Sequence, residues 1–139
     1  MIFPSGDAQV FNGEDAQLNV QNGIPRFYIM QLHNKGQRFH KITRHERCTQ
    51  CLGSLEGKDW LMVVCPPYND IDNPVLEELA TFPIPGNCFI KLEVVTWHAG
   101  PYCNHEFVDF YNLELSDTNV LDYFTHDFIT SHQLVFEML

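Results

Sequence analysis

Proline and glycine interrupt this chain so often that a helix of ordinary length has no room. Pro66-Pro67 ends the apolar run Trp60–Cys65, Pro83 and Pro85 bracket Ile84, Gly86 follows, and Gly100-Pro101 comes soon after. Proline lacks the amide a helix or central strand needs, and glycine weakens both, so each mark limits an element to strand length. Between the marks lie eight strand-like segments: Arg26–Leu32, Arg38–Arg44, Thr49–Leu55, Trp60–Cys65, Ala80–Ile84, Cys88–Val95, His105–Leu115 and Leu134–Leu139. Residues 1–25 are rich in turn formers and read as short strands or an arm closed at Asn22-Gly23, and Asn34-Lys35-Gly36 reads as a hairpin turn. Ser54–Asp59 is a turn, Tyr68–Pro74 an exposed loop, and Pro74–Leu79 a single helical turn. Many short strands with regular turn signals predict an all-β barrel or sandwich with little helix, as one domain over 1–139.

Charge narrows the partners. The net charge is −10, yet six of the eight basic residues fall between Arg26 and Arg47, and none follows Lys91. Such a chain repels polyanions, which argues against nucleic acid or an anionic membrane, while the basic cluster can draw a small anion. No window reaches the 18 apolar residues of a membrane span, and Met1–Asp7 has neither the basic start nor the apolar core of a secretory signal. Five cysteines, an odd number, point to free thiols in a reducing compartment, hence a cytoplasmic protein. Cys48 and Cys51 have C-x-x-C spacing, but in a strand they point to opposite faces, and no second pair completes a zinc site.

The stretch Glu93–Pro101 carries the densest chemistry. Before it, Cys88, Ile90, Leu92 and Val94 share one apolar face of a period-2 segment, and Phe89, Lys91, Glu93 and Val95 share the other, leading through Trp97-His98 to a Gly-Pro turn. Thr43-x-His45-x(4)-Gln50-x(6)-Gly57 keeps the spacing of the first motif of the cupins, and Pro85-Gly86 supplies their second turn. Thr43 and Gln50 are poor ligands for a transition metal, so no metal and no cofactor are expected.

The chain resembles the ureidoglycolate lyase family, formerly called ureidoglycolate hydrolases. The likeness rests on Arg26-Phe27-Tyr28-Ile29-Met30, Thr43-Arg44-His45, Thr49-Gln50-Cys51-Leu52-Gly53, Thr96-Trp97-His98-Ala99-Gly100-Pro101 and Asp109-Phe110 with Leu113–Asn119. It departs from the family at Glu93, where members often carry His. The resemblance implies a cupin-like double-stranded β-helix, a jelly-roll barrel that is commonly dimeric. It also implies cleavage of ureidoglycolate to glyoxylate and urea in purine catabolism.

That elimination needs a base for the hydroxyl proton, an acid for the leaving nitrogen and a cation for the carboxylate. His45 and His98 are the candidate base and acid. Glu93 can orient a histidine or act as base, Lys91 or Arg44 can clamp the carboxylate, Gln50 can bind the urea amide, and Trp97 can serve as a platform. With Lys91 and Glu93 read as facing inward, these residues are expected to converge in one barrel mouth. A non-catalytic cupin-like carboxylate-binding or interaction protein is the alternative.

Overall fold

A computed structural model describes residues 10–67 and 72–138. Eleven strands are present among them, with one 3₁₀ turn at Leu76–Glu78 and two short helices, α1 (Thr118–Leu121) and α2 (Phe128–His132). The strands are β1 (Pro25–His33), β2 (Arg38–Phe39), β3 (Lys41–Arg44), β4 (Gln50–Ser54), β5 (Trp60–Cys65), β6 (Ala80–Ile84), β7 (Phe89–Leu92), β8 (Trp97–Tyr102), β9 (Phe107–Leu115), β10 (Phe124–Asp127) and β11 (Phe136–Glu137). The all-β expectation holds. No strand is found over 10–24, the rest of the expected N-terminal arm lies outside the described residues, and so does most of the Tyr68–Pro74 loop.

Four strands form one sheet in the order β1-β9-β4-β7, five form a second in the order β10-β3-β8-β5-β6, and β11 pairs with β2. All pairings are antiparallel. No strand pairing joins the two larger sheets among the described residues, so the barrel of the sequence reading is two separate sheets. The Asn34–Gly36 hairpin is also not formed. β1 pairs with β9 from Pro25↔Leu115 to His33↔Phe107, while β3 belongs to the other sheet, so the turn carries the chain across between sheets.

The sheets pack face to face through Leu52, Leu92, Val108 and Phe110 of the first and Trp60, Met62 and Ile84 of the second. The continuous apolar run of β5 follows from its place: Trp60 and Met62 face this inner core, whereas Val63 and Cys65 join a second core with Phe39, Ile42, Trp97, Phe128 and Met138. That second core lies under the C-terminal elements, which is why β5 is apolar on both faces.

The outer face of the first sheet is different. Phe27 stacks on Tyr111 at 5.3 Å between ring centroids, and Phe89 stacks on Tyr111 at 6.2 Å although β4 lies between their strands. Gly53 makes this possible, because a Cβ there would sit 2.6 Å from the Phe89 ring. Phe27, Ile29 and Phe89 are each more than half exposed.

Two turns of the Glu93–Pro101 stretch also differ from expectation. β7 ends at Leu92, and a tight turn follows in which Val95 adopts φ +63° and donates to the His45 carbonyl at 2.8 Å. A β-branched residue rarely takes that left-handed conformation, so the turn is strained where it grips the chain beside His45. Gly100-Pro101 is not a turn at all; it lies within β8.

Candidate functional site

Between the sheets, at the end where β3 and β8 meet β4 and β9, lies a cavity of about 550 Å³. Its floor is polar. Gln50 opens β4, Asn112 is on β9, and both are buried among apolar neighbours. The Gln50 Nε2 amide donates to Asn112 Oδ1 at 3.3 Å and to Glu114 Oε2 at 3.2 Å. Asn112 Nδ2 donates to the Tyr28 hydroxyl at 3.0 Å, which donates to Glu114 Oε1 at 3.0 Å, and Asn119 Nδ2 adds a second bond to that oxygen at 2.7 Å, the third to the carboxylate. Glu114 is fully buried. Its carboxylate only accepts, so it fixes which end of the Gln50 amide turns toward it. Gln50 Oε1 is then left buried with no hydrogen-bond partner among the described residues. Burial, and then the Glu114 charge, push the Tyr28 phenol up from its usual pKa.

His45 and His98 stand side by side above this floor, with ring centroids 5.1 Å apart. His45 follows β3 directly, and His98 on β8 pairs with Thr43 on β3, so the strand pairing itself brings the two rings together. His45 Nδ1 is 2.6 Å from the Asp122 carbonyl, and His98 Nδ1 is 3.3 Å from that of Thr96. A carbonyl oxygen only accepts, so each Nδ1 carries a proton and each Nε2 is the nitrogen left for other partners. Burial, reinforced by His45, lowers the pKa of His98 from 6.5 to about 4, so it is a neutral proton acceptor at pH 7.

This shift has a consequence for stability. Between pH 6.5 and about 4 the unfolded chain binds a proton at His98 that the folded chain refuses, so stability falls as pH is lowered through that window. Lowering the pH from 7 to 4.5 should remove about 2 to 3 kcal/mol through this one group. Denaturant melts of wild type and His98→Gln at the two pH values test it: the variant should lose less stability over the same interval, and equal losses would refute the linkage.

Three of the residues proposed from sequence, His45, Gln50 and His98, line the cavity, and Thr43 of the same spacing lines it too. The other four do not. Arg44 lies on the opposite face of β3, its guanidinium 4.7 Å from the Trp97 ring centroid and paired with Glu46 at 2.8 Å. Trp97 is buried in the core beneath the C-terminal elements. Strand alternation explains both, since Arg44 precedes His45 and Trp97 precedes His98, so each pair points to opposite faces. Lys91 and Glu93, expected inside, pair with one another, and the Glu93 side chain is 64% exposed. Ile90 and Leu92 take the inner face of β7, which sends Lys91 outward by the same parity.

The sequence reading missed Asn112, Glu114 and Asp122. The parity of Val108 and Phe110, both fully buried, continues to Asn112 and Glu114 and was the available signal. Asp122, also buried, accepts from the backbone amides of Glu46 and Arg47 at 2.9 Å each, while its carbonyl holds His45. No local pattern marked it. The cavity cations, Lys35, Arg38 and Lys41, come from the basic cluster that the sequence marks as able to draw a small anion.

No group of three or more His, Cys, Asp or Glu among the described residues is arranged to hold a metal ion. All five cysteines are free, and burial pushes the Cys51 thiol up, the opposite of what a reactive C-x-x-C thiolate needs. No described helix is long and apolar enough to cross a membrane. Comparison with models of known protein families and with curated proteins finds no match.

Proposed function

We propose that the chain is a ureidoglycolate lyase-like enzyme that releases urea and glyoxylate by general acid/base elimination in this cavity. The observation that carries the reading is the pair of imidazoles 5.1 Å apart, each with Nδ1 bound to a carbonyl and Nε2 left as the reactive nitrogen. His98, held neutral, takes the hydroxyl proton as the carbon–oxygen double bond forms and the carbon–nitrogen bond breaks. For the acid step His45 must carry a second proton on Nε2, which it gives to the leaving urea nitrogen; the proton taken by His98 then restores His45, so one proton moves from oxygen to nitrogen and none is consumed. The amide floor of Gln50 and Asn112 suits a ureido group. A cavity of about 550 Å³ is within the range of small-molecule sites.

Strand order supports a cupin-like jelly roll as the scaffold. With β2, β10 and β11 set aside, the remaining eight strands fall as β1-β9-β4-β7 and β3-β8-β5-β6. Successive strands alternate between sheets except at the β5–β6 hairpin, the pattern of two interlocked Greek keys. A cytoplasmic location accords with five free thiols.

Incubating the purified chain with ureidoglycolate and measuring urea and glyoxylate tests the activity. Stoichiometric release of both is expected. A glyoxylate-dependent rise in melting temperature without turnover would overturn it in favour of a non-catalytic carboxylate-binding protein.

The homodimer is supported by the stacked Phe27–Tyr111–Phe89 face, an exposed apolar surface on a strongly acidic chain. A second copy related by a two-fold axis would cover it with the same surface. Light scattering should give twice the chain mass for wild type and a single chain mass for Phe89→Asp. A monomeric wild type would exclude the dimer.

A further inference from the structure

The cavity is electrically unlike the rest of the molecule. Lys35, Arg38 and Lys41, three of the eight basic residues, line it, and none of the 18 acidic residues does so among the described residues. They come from three successive pieces of chain: the segment after β1, the short β2, and the first residue of β3. The acids that neighbour them stand behind the lining. Glu137 lies 3.7 Å from an Arg38 that is 74% exposed. Asp127 faces Lys41 across the β3–β10 pairing but bonds His40 at 3.1 Å.

Lys35, exposed like the other two, leans on an aromatic ring. Its ammonium sits 4.8 Å from the Tyr102 ring centroid, and burial pushes its pKa down. A partly desolvated ammonium gains from an anion placed beside it. The floor opposite carries no formal charge at pH 7 from Gln50, Asn112, Asn119 or the neutral His98. The cavity therefore has a cationic wall at its exposed side and a hydrogen-bonding floor, behind which the buried Glu114 carboxylate is held by Gln50, Tyr28 and Asn119.

We propose that Lys35, Arg38 and Lys41 form an anion-binding wall that holds the carboxylate of a small amide-bearing acid, with the amide end of the ligand against the histidine pair and floor. This rests on the proposed function only for the orientation of the ligand; the wall itself follows from which charges line the cavity. It replaces Arg44 and Lys91 as the carboxylate clamp. In a chain of net charge −10 a confined patch of positive charge also concentrates anions where they are used.

The test uses oxamate, a carboxylate joined to an amide, and oxamide, its neutral counterpart of similar size. Titration calorimetry on the wild-type chain should show oxamate binding that weakens with added salt, and no binding of oxamide. Lys35→Gln/Lys41→Gln should weaken oxamate at least tenfold, and Lys41→Arg should retain it. If the double variant does not fold, Lys41→Gln alone should still weaken binding relative to Lys41→Arg. Equal binding of oxamide and oxamate, no binding of either, or an unchanged affinity in the Gln variants would overturn the wall. The two readings separate cleanly: ureidoglycolate turnover untouched by the wall variants refutes the wall alone, and charge-dependent oxamate binding without turnover refutes the lyase alone.

Discussion

His98→Ala should lower the turnover of ureidoglycolate by about 10²- to 10⁴-fold, the usual contribution of a positioned acid or base. His98 is the ring whose neutrality at pH 7 is secured by burial and by its neighbour, and its Nδ1 is already engaged by Thr96. Alanine removes Nε2, and no other described side chain occupies its place beside His45. The loss should appear in kcat more than in KM, because binding is left to the floor and the cationic wall. His45→Ala should cost a similar factor, and the double variant little more than either, since one proton path passes through both. Full turnover in His98→Ala, with circular dichroism showing a folded chain, would remove the assignment.

Asp122→Ala should destabilise the chain by about 3 kcal/mol and reduce turnover as well. The buried carboxylate accepts two adjacent backbone amides, Glu46 and Arg47, both at 2.9 Å. Each donor left without a partner costs roughly 1–3 kcal/mol. The same residue's carbonyl sets the tautomer of His45. Loosening the 45–47 segment therefore blurs the position of a reactive ring that the deleted carboxylate does not itself bond. Asp122→Asn tests the mechanism, since its amide offers one acceptor and turns a donor toward a second donor; it should recover little of the lost stability. Urea denaturation and product release on the same preparations measure both effects. A loss of stability under 1 kcal/mol would show that water satisfies the two amides.

The strands were largely legible before any tertiary information. β5 begins and ends at the residues its apolar run and Pro66-Pro67 mark, and the single helical turn before Ala80 is present as the 3₁₀ turn Leu76–Glu78. β10 and α2 were not read, because Phe124–His132 mixes aromatic, Thr, His and Asp residues with no clear period; β10 is held by pairing with β3 and α2 by its Asp127 cap. The site was legible in part. Parity, applied consistently, would have placed Arg44 and Trp97 opposite the histidines and sent Lys91 outward, while Asn112 and Glu114 would have come inside with Val108 and Phe110.

What the sequence by itself determined is the class of element and the face each residue takes, because period and punctuation are local properties of the chain. It also determined the unequal spread of charge, with the cations gathered between Arg26 and Arg47. Which strands pair, and so which faces meet, was decided only by the tertiary structure. Thr43 opposite His98 brings together rings 53 residues apart in the chain, and the Asp122 carboxylate reaches back 75 and 76 residues to Arg47 and Glu46. Such contacts depend on burying two apolar sheet faces at once, a condition that no local stretch of residues contains.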